Sequence, residues 1–393
     1  MEDNHSIYLH IPFCQKRCSY CDFNTFSGMN HLITGYVDRL AKEIDYYGRL
    51  FSRELPVKSV FFGGGTPSIL SVGHFQQLMA SLDQNFQISQ NAEISLEANP
   101  GTVSINSLID LRKMGFNRIS FGLQTSDPGF LHLLGRIHDH FQSIQAISWA
   151  KKAGFANINL DLIYGLPGQS LFDWKKTLED ALNLKTQHIS LYALGIEERT
   201  TLYDWVQKGI VEQPDPDLAA DMYEFADKIL IENDFECYEI SNYFHNDNSF
   251  DFRCAHNLQY WRNQPYLGLG AGAHGFFNNK RFENVKGIED YIQLMDSKKP
   301  SDMIENPVIN SMTEINKITE MQETMMVGLR LVNEGVSIIQ FTKRFNISPL
   351  VAFKTEIENL LKIGLLEIID NDIIRLTKNG RLLGNQVFVH FVN

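Results

Sequence analysis

Short apolar runs alternate with longer amphipathic segments between residue 7 and about residue 195. Runs rich in β-branched and aromatic residues predict strands, and the segments between them have the apolar spacing of helices. The predicted strands are Ile7–Ile11, Ser59–Phe62, Ala92–Leu96, Arg118–Leu123, Ile158–Ile163 and His188–Ala193, and the predicted helices are Leu32–Phe51, Phe75–Leu82, Ile105–Met114, Phe141–Ala153 and Leu171–Leu184. This alternation indicates parallel strands joined by right-handed crossovers. Several strands, most clearly Ile158–Ile163, look apolar on both faces, which is typical of strands between helices and a filled interior.

Polar residues after successive strands help to distinguish two α/β architectures. They are His10 and Cys14, the turn Gly63–Pro67, Glu97 and Asn99, Gln124, Asp161, and Tyr192. A barrel draws its site from the loops after all of its strands, whereas a doubly wound open sheet concentrates its site at one switch point. Because six units are fewer than the eight of a complete barrel, we expect an incomplete (β/α)6 barrel.

The regular alternation ends after about residue 195, which predicts a change of domain organisation. We expect a barrel over residues 1–235, a connecting segment over residues 236–300, and a small C-terminal domain over residues 301–393 that begins near Ser301. Its predicted elements are the helices Ile315–Leu331, Ile338–Phe345 and Leu350–Ile363, followed by a hairpin of Leu365–Ile369 and Ile373–Leu376. This order is typical of a mainly helical, winged-helix-like domain. Its last helix mixes lysines with glutamates, which favours packing or partner contact over DNA reading.

Composition and charge narrow the function classes. The 393 residues include 35 basic and 47 acidic side chains, for a net charge of −12, and hydrophobic residues make up 44%. This composition excludes a disordered chain, and the acidic balance disfavours a nucleic-acid partner. No apolar run approaches the ~20 residues of a membrane-spanning helix, and the acidic start Met1–His5 lacks the features of a signal peptide. We therefore expect a cytoplasmic protein without a membrane span.

Three of the five cysteines, Cys14, Cys18 and Cys21, lie within eight residues directly after the first predicted strand. In a reducing compartment clustered thiols are typical metal ligands. Three thiolates leave one position of a four-ligand site open, which favours an iron–sulfur cluster with one exchangeable site. A zinc ion with His10 or Asp22 as the fourth ligand is an alternative, and three small buried hydrophobic residues are another.

Further motifs accompany this C-x3-C-x2-C spacing: Tyr20 before the third cysteine, YLHIPFC at residues 8–14, GGGTP at 63–67, DLIYGLP at 161–167 and RCAHNLQYW at 253–261. Together they resemble the radical S-adenosylmethionine (radical SAM) superfamily, and within it the oxygen-independent coproporphyrinogen III oxidase-like family. The resemblance implies that Cys14, Cys18 and Cys21 hold a [4Fe-4S] cluster. It also implies that the fourth iron binds S-adenosylmethionine, which an electron from the cluster cleaves to a 5′-deoxyadenosyl radical.

The resemblance implies a set of contacts to S-adenosylmethionine as well. They are Tyr8, Tyr20, Gly64, Gly65, Thr66, Glu97, Gln124, Arg136, Asp161 and Ala193. The residue types suit the ligand, because carboxylates accept from an amine or from ribose hydroxyls and an arginine pairs with a carboxylate. Two alternatives stay open: the glycines form an ordinary turn at a strand end, and each polar residue is a salt-bridged group at the barrel rim.

Phe23 is the departure from the family pattern that separates two branches. Family members that decarboxylate coproporphyrinogen III carry a fourth cysteine at this position, two residues after the third. The sister branch, regarded as heme chaperones, lacks that cysteine and shares an H-N-x-x-Y-W signature, found here from His256 to Trp261. The resemblance therefore implies a heme chaperone with His256 as a heme ligand, and Arg253 and Arg262 are candidates to pair with the propionates.

Three functional hypotheses follow from the sequence. The first is a heme chaperone that passes heme to an acceptor protein, for which the family suggests a membrane-bound respiratory complex. The second is an enzyme, oxygen-independent coproporphyrinogen III oxidase. The third is a zinc-stabilised binding module without redox chemistry, and whether the chain is an enzyme stays open. For His256 the alternative is a hydrogen-bonded residue in an aromatic cluster.

Overall fold

The computed structural model describes residues 5–51, 53–247, 250–297 and 306–392. Its centre is a mixed sheet of twelve strands that does not close on itself. In spatial order the strands are Ile309–Glu314, Lys280–Asn284, His274–Phe277, Tyr266–Leu269, His5–Ile11, Pro56–Gly64, Gln87–Ala98, Arg118–Gln124, Asn157–Tyr164, His188–Ala193, Asn242–His245 and Phe235–Glu239. All six predicted strands are present and adjacent, with parallel pairing throughout. The incomplete six-unit barrel is confirmed.

Helices cover the outer face of the parallel strands. They are Ile33–Leu50, Val72–Asn85, Ile105–Lys113, Pro128–Leu133, His140–Lys152, Leu171–Asn183, Thr201–Gln207 and Pro216–Glu232. Four of them begin at a capping box, formed by Ser71, Ser104, Asp139 and Ser170, in which side chains satisfy the free N–H groups of the first turn. Each cap fixes the residue at which a crossover helix begins, and the helix then leads the chain back to the next parallel strand.

The segment after residue 235 extends this sheet at both edges. Asn242–His245 pairs antiparallel with His188–Ala193, and Tyr266–Leu269 adds a further parallel strand beside His5–Ile11. The helices Ala255–Trp261 and Ile288–Ser297 lie in the same segment. The boundary predicted at residues 235 and 236 falls inside the strand Phe235–Glu239, while Ser301 and Met1–Asn4 lie outside the described residues.

The C-terminal part has its own apolar core, with Met325, Phe341 and Leu360 at its centre. Its helices are Lys317–Gly328, Ile338–Phe345, Pro349–Ala352, Lys354–Lys362, Lys378–Leu382 and Gly384–Val389, and its small sheet orders Val336–Ser337, Ile373–Leu376 and Leu366–Ile369. The predicted helix Leu350–Ile363 is divided at Phe353, whose ring packs edge-on against Phe341 and Phe391. The mainly helical C-terminal domain is confirmed.

The interior of the barrel corrects one expectation. The strand Asn157–Tyr164 is not apolar on both faces, because Asn159 and Asp161 point into a cavity enclosed by the strands. Ser120 and Ser190 on the neighbouring strands line the same cavity. The parallel strands therefore enclose an open cavity with polar side chains on part of its wall, rather than a filled apolar interior.

Candidate functional site

The cysteine loop, residues 14–25, is held at both ends beside the first barrel strand. Cys14 ends the short strand Phe13–Cys14, which pairs in parallel with Phe26–Ser27. The loop is also tied at its middle, where the Ser19 N–H donates to the Leu134 carbonyl at 3.0 Å. These attachments place all three thiols, Cys14, Cys18 and Cys21, on the wall of one cavity of about 460 Å³.

Each of the three sulfurs has a polar neighbour. The contacts are Thr66 Oγ1 to Cys14 Sγ at 3.6 Å, Arg136 Nη1 to Cys18 Sγ at 3.4 Å, and Thr25 Oγ1 to Cys21 Sγ at 3.7 Å. Hydrogen bonds to ligand sulfurs are the contacts that orient and tune a metal centre. Burial raises the pKa of the Cys14 thiol and thus favours its neutral form. A bound metal cation would act in the opposite direction and favour the thiolate. This donor set fits an iron–sulfur cluster.

His10 is not free to complete a zinc site. Its Nδ1 lies 2.9 Å from the Tyr8 hydroxyl and its Nε2 lies 2.9 Å from the Asn24 carbonyl oxygen, so both ring nitrogens are engaged. Within the described ranges of the chain, no three His, Cys, Asp or Glu side chains form a group that could hold a single metal ion, so the three thiols fit a larger cluster better than one zinc ion. The geometry of His10 therefore argues against its role in the zinc alternative.

The glycine turn after the second barrel strand packs directly under the cysteine loop. The Gly65 N–H donates to the Ile11 carbonyl at 2.9 Å and the Thr66 N–H to the Phe13 carbonyl at 2.8 Å. A Cβ at Gly65 would lie 2.6 Å from the Phe13 oxygen, and Gly64 has a φ of +114°. Glycine is therefore required at Gly65 by the close contact and is favoured at Gly64 by the positive φ. The turn thus brings backbone to the cavity wall, where a bound ligand's amine or carboxylate can reach it.

Two carboxyl groups, those of Glu97 and Asp161, lie on the wall of the cavity. Burial, and secondarily the charge of Asp161, raises the pKa of Glu97 to about 8, and one of its oxygens accepts from the Gly64 N–H at 3.1 Å. Burial also raises the pKa of Asp161, although Ser120 donates to it at 2.7 Å and Asn159 at 2.9 Å. Such a pair favours a ligand that brings a positive charge or hydrogen-bond donors.

Arg136 reaches the cavity from the loop after the fourth barrel strand. Its Nη2 donates to the Gly122 carbonyl at 2.8 Å while Nη1 contacts Cys18. Gln124 lies beside it, at a break in the strand register, with a φ of +68°. This strained backbone conformation at the strand end places the Gln124 side-chain amide over Gly122. A Cβ added at Gly122 would lie 2.7 Å from Gln124 Nε2.

The structure brings most of the predicted site residues together. Those that line the cavity are Cys14, Cys18, Cys21, Tyr20, Gly64, Gly65, Thr66, Glu97, Gln124, Arg136, Asp161 and Ala193. Tyr8 and His256 are not on its wall. Tyr8 packs behind Gly63, where a Cβ would lie 2.9 Å from its ring, and its hydroxyl bonds His10.

His256 is buried under the barrel, with 1% of its surface exposed. Its Nδ1 lies 2.9 Å from Ser59 Oγ and its Nε2 lies 2.9 Å from the Tyr260 hydroxyl. Its ring stacks on Phe61 at 5.0 Å, and burial lowers its pKa to about 3. The imidazole is therefore neutral, and both of its nitrogens are engaged. The neighbouring Asn257 is the residue of this motif that lines the cavity.

The proposed propionate partners are paired within the chain. Arg253 forms an ion pair with Asp251, and Arg262 forms one with Glu334, each at 2.7 Å. Arg330 stacks over the Trp261 ring at 4.4 Å from its centroid. Cys254 is fully buried, and its thiol contacts Glu93 at 3.5 Å. The face of this motif that the sequence suggested for heme is therefore occupied by internal contacts.

Sequence reasoning missed several cavity residues on the barrel strands. They are Arg118, Ser120, Asn159, Ser190 and, beyond the strands, Asn257 and Glu197. The signal was present, because polar residues recur at every second position of these strands, and alternate residues of a strand share a face.

Comparison with known proteins agrees with this architecture. Residues 8–181 match the family model of the radical SAM superfamily. Residues 315–383 match the family model of the HemN C-terminal domain. A Bacillus subtilis protein named heme chaperone HemW is 34% identical over 98% of this chain and 99% of its own. The chain belongs to the HemW family of the radical SAM superfamily. Membership implies a [4Fe-4S] cluster and S-adenosylmethionine as cofactors.

Two further relatives show how far this family's likeness extends. A zebrafish (Danio rerio) protein named radical S-adenosyl methionine domain-containing protein 1, mitochondrial, is 31% identical over 96% of this chain and 84% of its own. The structure of coproporphyrinogen III oxidase HemN from Escherichia coli superposes with a TM-score of 0.83, at 24% identity, over 100% of this chain and 91% of that chain. The last match shows a shared fold. No helix in the described part of this chain is long and apolar enough to cross a membrane.

Proposed function

We propose that this chain is a cytoplasmic heme chaperone: it binds heme and transfers it to a heme-requiring acceptor, such as a membrane-bound respiratory complex. The observation that carries the proposal is the near end-to-end match to proteins named heme chaperone HemW. Phe23 supports it, because a phenylalanine stands at the cavity where the oxidase branch has a cysteine, and 65% of its surface is exposed.

In this proposal Cys14, Cys18 and Cys21 hold the cluster, and the predicted contacts on the cavity wall orient S-adenosylmethionine, while Tyr8 packs behind Gly63. When bound, the cluster supplies an electron and S-adenosylmethionine a cleavable sulfonium bond. Thr66 and Arg136 support the sulfurs, while Glu97 and Asp161 receive the ligand's donors. Heme binds at the Ala255–Trp261 helix, and ligation by His256 requires its release from Ser59 and Tyr260.

Heme titration of the anaerobically reconstituted full-length protein tests the proposal. We expect a Soret band, and we expect His256→Gln to weaken heme binding by at least about tenfold if the imidazole is a ligand. His188→Gln is the matched control, because His188 is also fully buried with both ring nitrogens bonded, to Asn159 and Tyr238. Equal weakening in both variants would remove His256 from the heme site.

Two results would overturn the chaperone function itself. One is the absence of a Soret band in the wild-type protein. The other is reductant-dependent turnover of coproporphyrinogen III, which would establish the oxidase instead. Transfer is measured as movement of heme absorbance from this chain to a detergent-solubilised, heme-depleted respiratory complex, and failure to move would limit the chain to heme storage.

A further inference from the structure

Arg118 is a buried cation that the predicted cofactor contacts do not use. It opens the fourth barrel strand, Arg118–Gln124, and lines the cavity although only 3% of its surface is exposed. Its Nε is buried without a hydrogen-bond partner, and no ion pair links Arg118 to a carboxylate in the described ranges. Because burying an unpaired charge is costly, a partner for this guanidinium is expected.

The nearest acids are already occupied by other donors. Glu93 accepts from the backbone N–H of Ala255 at 2.8 Å and of His256 at 3.3 Å, and from Ser95 Oγ at 3.0 Å. Both oxygens of Asp161 are likewise taken, by hydrogen bonds from the side chains of Ser120 and Asn159. Burial lowers the pKa of Arg118, but the neighbouring Cys254 thiol and the Glu93 and Asp161 carboxyl groups raise it by more. Neither carboxylate forms a hydrogen bond with the guanidinium.

The backbone of Arg118 is separated from the cysteine loop, although its guanidinium lies near two predicted S-adenosylmethionine contacts, Glu97 and Asp161. Arg118 lies six residues before Gln124 on the same strand, which corresponds to roughly 20 Å along the barrel at about 3.3 Å per residue. It is hydrogen-bonded in register with Ser95 and Asn157, whereas the cysteine loop sits at the opposite, carboxyl ends of the strands. The cavity thus has a second, deeper polar end.

We propose that the deep end of the barrel cavity is a binding site for a small organic carboxylate, held by the Arg118 guanidinium and adjoining the predicted S-adenosylmethionine site at Glu97 and Asp161. The planar fork of an arginine matches a carboxylate with two parallel hydrogen bonds. A single negative charge suits the site better than the double charge of phosphate, because Glu93, Glu97 and Asp161 surround it. Nothing in this inference requires heme.

Propionate is the probe, and propionamide is its neutral counterpart of the same shape. We expect ligand-observed NMR on the full-length protein, reconstituted and saturated with S-adenosylmethionine, to show propionate binding at least about tenfold tighter than propionamide. Arg118→Gln should abolish that preference, and Arg118→Lys should keep part of it because the charge remains. Arg39→Gln, at an exposed ion pair with Asp296, is the matched control and should bind like the wild type.

Several outcomes would overturn the proposal. Equal binding of propionate and propionamide by the wild type does so without any variant, which keeps the test decisive if Arg118→Gln fails to fold. An unchanged preference in a folded Arg118→Gln protein removes the residue from the site. Tighter binding of inorganic phosphate contradicts the carboxylate class. Loss of propionate binding when S-adenosylmethionine is added shows that the two ligands share one site. None of these results depends on heme binding, so the heme proposal stands or falls separately.

Discussion

The cysteine loop and the Ala255–Trp261 helix are two motif-bearing regions that the fold treats in opposite ways. The loop directs all three thiols, Cys14, Cys18 and Cys21, to one cavity. The helix buries His256 among Ser59, Phe61 and Tyr260, and it directs Asn257 to the cavity instead. Adjacent residues on a helix point about 100° apart, since a turn takes 3.6 residues. A motif on a helix therefore identifies a region, but not which of its side chains meets a ligand.

The cysteine side of the comparison predicts the largest effect. Single alanine substitutions of Cys14, Cys18 or Cys21 should abolish the cluster, since in the proposed site each supplies one of three protein ligands. Iron and sulfide content after anaerobic reconstitution, with the visible spectrum, measures this. Cys254→Ala is the matched control because that thiol is buried away from the cavity. A variant of the trio that retains a full cluster would contradict the assignment.

The helix side predicts a loss of stability. His256→Ala removes a buried ring and its bonds to Ser59 and Tyr260, which should lower the free energy of unfolding by about 2–4 kcal/mol. Asn257→Ala, at the cavity wall, should cost less than about 1 kcal/mol. Chemical denaturation of both variants measures the difference. A reversed order would show that His256, not Asn257, faces solvent in the cavity.

The raised pKa of Glu97 predicts that the stability of the folded protein depends on pH. Its folded pKa, about 8, lies above the ordinary value of 4.5, so the folded state binds more protons than the unfolded state between these values. The ligand-free wild type should therefore lose stability as pH rises from 4.5 to 8, whereas Glu97→Gln should lose less. Because Glu97 is only partly buried and lines an open cavity, screening limits the difference to about 1–2 kcal/mol. Thermal unfolding across this range measures it, and parallel curves would refute the raised pKa.

Thr66→Val predicts the smallest change. It removes the donor that lies 3.6 Å from Cys14 Sγ while leaving the ligand in place. The cluster should form, but its reduction potential should fall, because a hydrogen bond to sulfur stabilises the reduced state. Redox titration followed by electron paramagnetic resonance measures the shift. Thr34→Val is the control, since Thr34 bonds His74 on the outer helices.

The local order of elements was readable from the chain. The strands His188–Ala193 and Ile373–Leu376 and the helix Ile338–Phe345 have their predicted bounds. The other predicted barrel strands are longer than expected, most of all Ala92–Leu96, which is part of the strand Gln87–Ala98. The pairing of the strands added at the sheet edges was not foreseen, because Tyr266–Leu269 and Asn242–His245 are four-residue strands whose partners lie more than 50 residues away or across a turn. Short strands carry too little periodicity to reveal such partners.

The candidate site also contains residues that the sequence predicted and residues that it did not. The C-x3-C-x2-C spacing and the glycine turn were sufficient to place the thiols and backbone at one cavity, because both immediately follow barrel strands. Arg118 and Asn159 escaped notice because each sits inside a strand. Their alternation with apolar neighbours gains meaning only when the interior is seen to be open.

The chain by itself determined that parallel strands alternate with helices and that three thiols gather after the first strand, since periodicity and spacing act over a few residues. Only the tertiary structure decided that His256 is buried and that Arg118 lines the cavity with its Nε lacking a hydrogen-bond partner. It also decided that polar side chains line an open barrel interior. Those outcomes depend on contacts between residues such as Ser59 and His256, which are 197 positions apart. Distant pairing of this kind is settled by packing and hydrogen-bond satisfaction across the whole fold.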